Sequence, residues 1–154
     1  PGGLIAILFW SSQRLLPGYP YLEARLNATR AACYPFQEGG SFLDHILSAP
    51  VWLHQAGLEK IRGQTFVADL HTAVDGQAGD DLAACFQMLW GRAMPELSEA
   101  DKAQFERLCH KSSPDFIANR PGYYGFITYT LFFGLVTQGR DDLRESDYLI
   151  QAAN

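Results

Sequence analysis

Three stretches of the chain carry the hydrophobic pattern of β-strands, and the intervals between them carry that of helices. Leu4 to Trp10, LIAILFW, is an unbroken apolar run between Gly2-Gly3 and Ser11-Ser12. A run without alternation predicts a strand buried on both faces, as in the interior of a parallel sheet. Within residues 60–70, Ile61, Gly63, Thr65 and Val67 alternate with Arg62, Gln64, Phe66 and Ala68, which predicts a strand with one wetter face, close to an edge. Tyr123 to Thr137, YYGFITYTLFFGLVT, is aromatic and β-branched almost throughout and predicts a long central strand.

Helical spacing fills the rest. Leu22, Arg25, Leu26, Thr29 and Cys33 predict a helix over 21–34, broken afterwards by Pro35 and Gly39-Gly40. Ser41 with Asp44 reads as the cap of a helix carrying Phe42, Ile46, Leu47, Val51 and Leu53 as far as Gly57, with Pro50 kinking it or starting a second piece. From Asp80, a stripe of Leu82, Cys85, Phe86, Leu89 and Trp90 runs to Gly91, and Ser98 with Asp101 caps a further helix. Ser113-Pro114 has the form of a cap and first turn of a short third helix. Trp52, Phe86 and Trp90 fall on apolar stripes and are expected in the core. The chain divides into a main part, 1–140, and a charged tail, 141–154, that is expected to fray.

Composition narrows the class. With 154 residues and 47% hydrophobic content, the chain predicts one globular core. A net charge of −5, with 12 Lys and Arg scattered singly, offers no basic stripe for nucleic acid or an anionic membrane. Cys33, Cys85 and Cys109 form no CxxC pair, and His45, His54 and His110 stand alone on predicted helices, so no metal site is expected. The opening apolar run lacks a preceding positive charge and is far shorter than the roughly 20 residues of a membrane span. A reduced, cytoplasmic setting fits these features.

The helix-bearing connection between the first and second strands favours a right-handed parallel crossover. Their carboxyl ends, Trp10-Ser11-Ser12-Gln13 and Asp69-Leu70-His71, then share one edge of the sheet. An antiparallel third strand brings Tyr123-Tyr124 to the same edge. Two long insertions, 14–40 and 72–122, attach there and predict a cap over a ligand site, since open α/β sheets bind ligands beyond their strand ends. A plainer alternative is that the insertions only enlarge the core.

These residues resemble a known family. PGGLIAILFW, the Ala56-Gly57-Leu58 turn feeding a strand, and GYYGFITYTLFFGLV are similar to the carboxyl-terminal half of class I S-adenosylmethionine-dependent methyltransferases acting on small molecules. In that family a Pro-Gly-Gly turn precedes the fifth strand and an Ala-Gly turn the sixth, and the seventh returns antiparallel between them. The resemblance covers all but the tail. It implies an α/β fold with a partial Rossmann-like methyltransferase sheet, two parallel strands with an antiparallel strand between them, and helical cap insertions. It also implies that strands one to four are missing from this chain. The cofactor implied is S-adenosylmethionine, yet no G-x-G turn occurs in the sequence, so no residue here is assigned to bind it and the chain alone is expected to be inactive.

The expected role is therefore the substrate-capping part of a methyltransferase. Methyl transfer is accelerated chiefly by alignment of the reactants, so no catalytic triad is required and no catalytic residue is assigned. The candidate substrate-binding residues are Trp10, Ser12, Gln13, Tyr19, Asp69, His71, Tyr123 and Tyr124. Asp69 and His71 can orient or deprotonate an acceptor, Ser12 and Gln13 can hydrogen-bond, and the tyrosines, with Tyr21 and Tyr34, offer aromatic walls. Each also has an ordinary structural role open to it in strand ending, turn capping or packing. The expected partners are a small-molecule substrate and either the missing amino-terminal half or a second copy, paired through the first strand. The competing function is a noncatalytic small-molecule-binding or dimerisation module derived from the same fold.

Overall fold

The computed structural model describes residues 2–34, 39–71 and 77–137, with the backbone alone at 77 and 78. The charged tail 141–154, and residues 35–38 and 72–76 of the two expected insertions, lie outside the described residues. Three strands are present, β1 (Leu4–Arg14), β2 (Leu58–His71) and β3 (Tyr124–Val136). Five α-helices accompany them: α1 (Pro20–Asn27), α2 (Arg30–Cys33), α3 (Ala49–Gln55), α4 (Gln77–Trp90) and α5 (Glu99–Cys109). None is long and apolar enough to cross a membrane.

The strands form one sheet in the order β1-β3-β2. Its register is set by facing residues. Val136 exchanges backbone bonds with Gly2 and Gly3 at 2.8 Å each, and further along β1 the Ser11 hydroxyl reaches the Thr128 carbonyl at 3.1 Å. The residue number on β3 falls as that on β1 rises, so this ladder is antiparallel. Against β2, Thr65 and Thr130 join hydroxyls at 2.9 Å while Asp69 faces Tyr124, so the second ladder is antiparallel too.

The Rossmann-like sheet with a parallel pair is thereby corrected to an antiparallel one. β3, the strand richest in aromatic and β-branched residues, takes both ladders, and β1 and β2 never pair with each other. The double-sided burial expected of Leu4 to Trp10 also fails: Leu4, Ile5 and Leu8 are 59%, 45% and 62% exposed, because the small buried cluster of this part of the chain covers too little of β1.

The chain divides into two compact units, each holding one segment of every strand. Unit 1 comprises 1–9, 42–65 and 130–154. Its buried cluster is small: Ala49, Leu53, Leu58 and Phe132, with Ile7, Phe9, Trp52 and Ile61 packed against it. The stretch expected to be helical from Phe42 to Gly57, with Pro50 kinking it or starting a second piece, is here two 3-10 turns, Phe42–Asp44 and Ile46–Ser48, followed by α3. Pro50 explains the division, since it lacks an amide hydrogen and sits where a helix begins. Gly57, at φ 80°, ends α3 in the left-handed conformation and donates to the His54 carbonyl at 2.9 Å.

Unit 2 comprises 10–41 and 66–129 and contains both insertions. Their helices build its core, in which Leu15, Leu26, Phe86, Trp90, Leu108 and Ile117 are all wholly buried. Ser98 caps α5 as expected, accepting from the Asp101 amide at 3.2 Å. The helix expected over 21–34 is broken, because Thr29 turns extended at ψ 149° and caps α2 by accepting from the Ala32 amide. Ser113-Pro114 starts no helix; the Ser113 hydroxyl accepts from the Asp115 amide in a turn before the 3-10 segment Ile117–Asn119.

Candidate functional site

Unit 2 holds a cavity of about 200 Å³ lined by Trp10, which lies within β1 because the strand runs on to Arg14, by the end of β2 (Leu70, His71), by α4 (Asp81, Leu82, Cys85), and by Tyr123 with Ile127 and Tyr129 of β3. Alternation along β3 explains the last group, since residues two apart share a face. Gly125 sits on that face and leaves room. A Cβ there would stand 2.9 Å from the Arg14 carbonyl oxygen and 3.0 Å from the Tyr123 hydroxyl.

The walls are fixed from behind. The Trp10 indole donates to the Gln13 side-chain oxygen at 3.0 Å, and the Gln13 amide nitrogen donates to Asn27 at 2.8 Å. The same Asn27 oxygen accepts from the Trp90 indole at 2.8 Å, which ties the wall to the core. Trp10 and Tyr129 meet at 5.6 Å between ring centroids with planes 56° apart, a corner rather than a stack. The Tyr123 hydroxyl donates to the Leu15 carbonyl at 2.9 Å, and the amides of Leu15 and Leu16 donate to the buried Glu23 carboxylate at 2.8 and 3.4 Å. Burial, and then the Glu23 charge, push the Tyr123 phenol well above its ordinary pKa, so it stays protonated.

Cys85 is half-buried, and its thiol is raised first by that burial and then by the charge of Asp81. A thiol raised in this way is a poor nucleophile. Asp81 and His71 are exposed and mark its mouth, while Leu82, Tyr123 and Ile127 are buried and mark its floor. Among the described residues no group of three potential metal ligands is assembled.

Of the residues expected at the site, Trp10, His71 and Tyr123 are brought together in the cavity. Gln13 stands behind Trp10 as a strut, and Ser12 offers its carbonyl to the Thr128 hydroxyl at 3.3 Å. Asp69 and Tyr124 pair on exposed positions, the phenol donating at 2.6 Å, and that bond raises the Tyr124 pKa. Tyr124 also packs 5.6 Å from the His71 ring. Tyr19 is engaged elsewhere, its hydroxyl accepting from Arg120 at 2.9 Å while the guanidinium lies 5.4 Å from its ring centre. Leu70, Asp81, Leu82, Cys85, Ile127 and Tyr129 were not among the expected residues. Counting in twos from Tyr123 finds Ile127 and Tyr129, and the stripe on α4 already contained Leu82 and Cys85.

S-adenosylmethionine does not fit this cavity. Pockets that enclose drug-sized ligands span roughly 300–1,000 Å³, and among the described residues no glycine-rich turn from a strand into a helix adjoins it. No protein-family model matches the chain, and no curated protein matches it.

Proposed function

We propose that these 154 residues supply the small-molecule pocket of an S-adenosylmethionine-dependent methyltransferase, with the cofactor held by polypeptide other than this chain. The observation that carries the reading is the cavity itself. It gathers one residue of β1, the end of β2 and the first half of β3 under a helix of the second insertion, and its walls are aromatic and held by hydrogen bonds. Rigid walls favour transfer chemistry, because a pre-oriented acceptor loses less freedom on the way to the transition state. Also in its favour, the last strand lies between the first two, the place the resemblance gives its seventh strand. No step of the reaction is assigned to a side chain here.

Calorimetric titration tests it. The chain alone is expected to bind small aromatic compounds and to give no heat with S-adenosylmethionine, and methyl transfer from labelled cofactor is expected once a polypeptide carrying a cofactor-binding half is joined to it. Trp10→Ala in the joined protein should raise KM for the acceptor by about tenfold or more, the scale of losing one buried aromatic contact. Cofactor binding by the chain alone would refute the division of labour.

A second reading rests on the open edge of β1, where Leu4, Ile5 and Leu8 are exposed. In it the chain is a noncatalytic binding or dimerisation module. Self-association with no transferase activity in the joined protein would favour this reading over the first.

A further inference from the structure

Charge and ring geometry at the cavity narrow the class of ligand. No Lys or Arg lines it among the described residues, whereas Asp81 stands at its mouth. The neighbouring carboxylate, Asp80, is paired with Lys111, and Asp81 has no cationic partner among the described residues. Asp81 and Cys85 stand four residues apart on α4 and both line the cavity, so the carboxylate faces the same space as the wall. The polar tips of two aromatic walls are already spent, the Trp10 indole on Gln13 and the Tyr123 hydroxyl on Leu15. What those walls still offer a ligand is their π-surface, which attracts a cation and is indifferent or repulsive to an anion. The chain's net charge of −5 acts in the same sense at long range.

We propose that the cavity takes a small primary or secondary amine with an apolar, ring-sized body: the body packs on Leu82, Ile127 and Tyr123, and the ammonium stays at the mouth between Asp81 and the corner formed by Trp10 and Tyr129. The proposal rests on the small-molecule reading of the same cavity and goes beyond it by naming the charge of the ligand. An ammonium at the rim keeps part of its hydration, so the aromatic floor need not desolvate a charge. A carboxylate or phosphate of the same size would meet Asp81 with no Lys or Arg among the described lining residues to offset it.

Three probes that share a phenylethyl group test this: 2-phenylethylamine, 2-phenylethanol and 3-phenylpropionate, titrated calorimetrically at about pH 8, below the pKa near 10.4 of an alkylammonium. The amine is expected to bind about five- to tenfold more tightly than the alcohol, the scale of a partly solvated ion pair with a cation–π contact, and the acid most weakly. Asp81→Asn, at an exposed position that should leave folding intact, is expected to erase most of the preference for the amine and leave alcohol affinity unchanged. Equal affinity for amine and alcohol would overturn the amine assignment while leaving the small-molecule pocket standing. A loss shared equally by both probes in Asp81→Asn would also overturn it, and failure of all three probes to bind would overturn the pocket as well.

Discussion

The two units are made from the same three strands yet are buried by different means. In unit 2 the strand segments carry an aromatic core built from both insertions, with Phe86 stacked at 5.8 Å on Trp90 and meeting Phe116 edge-on at 6.2 Å. In unit 1 they carry, among the described residues, one α-helix of seven residues and four buried apolar side chains. Seven of its large apolar side chains remain exposed: Leu4, Ile5, Leu8, Phe42, Leu43, Leu47 and Val51. A strand's hydrophobicity therefore does not decide its burial. Coverage does, and coverage is supplied by whatever the chain has available to fold over it.

The sharpest way to break the comparison is a matched pair of truncations. Trp90→Ala removes a wholly buried ring and the indole bond to Asn27, and is expected to cost about 3–5 kcal/mol, enough to threaten the folded state. Leu53→Ala in unit 1 lies in a four-residue cluster close to solvent that can relax around the loss, and about 2 kcal/mol is expected. Urea unfolding measures both. Hydrogen exchange adds the location, with protection falling throughout unit 2 in the first variant and only near α3 in the second. A larger cost at Leu53 than at Trp90 would reverse the ranking of the two cores.

What the sequence could reveal follows the same division. The three strands were legible because apolar runs and turn glycines are local signals, and so was the start of α5, because Ser98 caps it through its own side chain. The antiparallel return of β3 between the other two was expected as well, but the expected parallel pair was not found, because β3 takes both ladders and β1 and β2 never bond to each other. The break at Thr29 was hidden as well. Threonine is acceptable inside a helix and better as a cap, and only the seating of α2, whose first amides, Arg30 and Ala31, donate to Glu96 at 2.9 and 3.0 Å, selects the second role. At the site, strand-end logic found Trp10, His71 and Tyr123 but gave no reason to prefer them over Asp69 or Tyr124. That choice belongs to α4, whose packing against one set of residues leaves the other set in solvent.

Unit 2 also carries an electrostatic tie that should show in its acid response. Arg25 donates two hydrogen bonds to Asp101, at 2.6 and 2.8 Å, and the carboxylate is held below its ordinary pKa first by that bond. A carboxylate whose pKa is lower folded than unfolded adds stability that is fully present above the unfolded value of about 3.9 and is lost as pH falls through the folded one. Glu96 acts in the same direction, lowered by the amides of Arg30 and Ala31. The urea midpoint should therefore fall between about pH 5 and pH 2. Asp101→Asn should lie below the parent at neutral pH and converge with it in acid. Two curves that stay parallel would mean that the pair contributes nothing to the difference between folded and unfolded titration.

The smallest effect on stability is expected where the comparison leaves unit 1 most open. Leu8 lies on β1, which is hydrogen-bonded on one side to β3 and meets no other strand among the described residues. At 62% exposure its side chain contributes little to folding, so Leu8→Lys should change unfolding free energy by no more than about 0.5 kcal/mol. Its effect on association should be far larger. An exposed apolar edge strand is a template for a second chain, and a lysine there obstructs edge pairing by placing a hydrated charge in the contact. Sedimentation equilibrium of the parent is expected to show concentration-dependent self-association, and that of Leu8→Lys a shift towards monomer at the same concentration. If both associate equally, the open edge is not the contact, and the exposed Phe42, Leu43 and Leu47 of the same unit become the surface to substitute next.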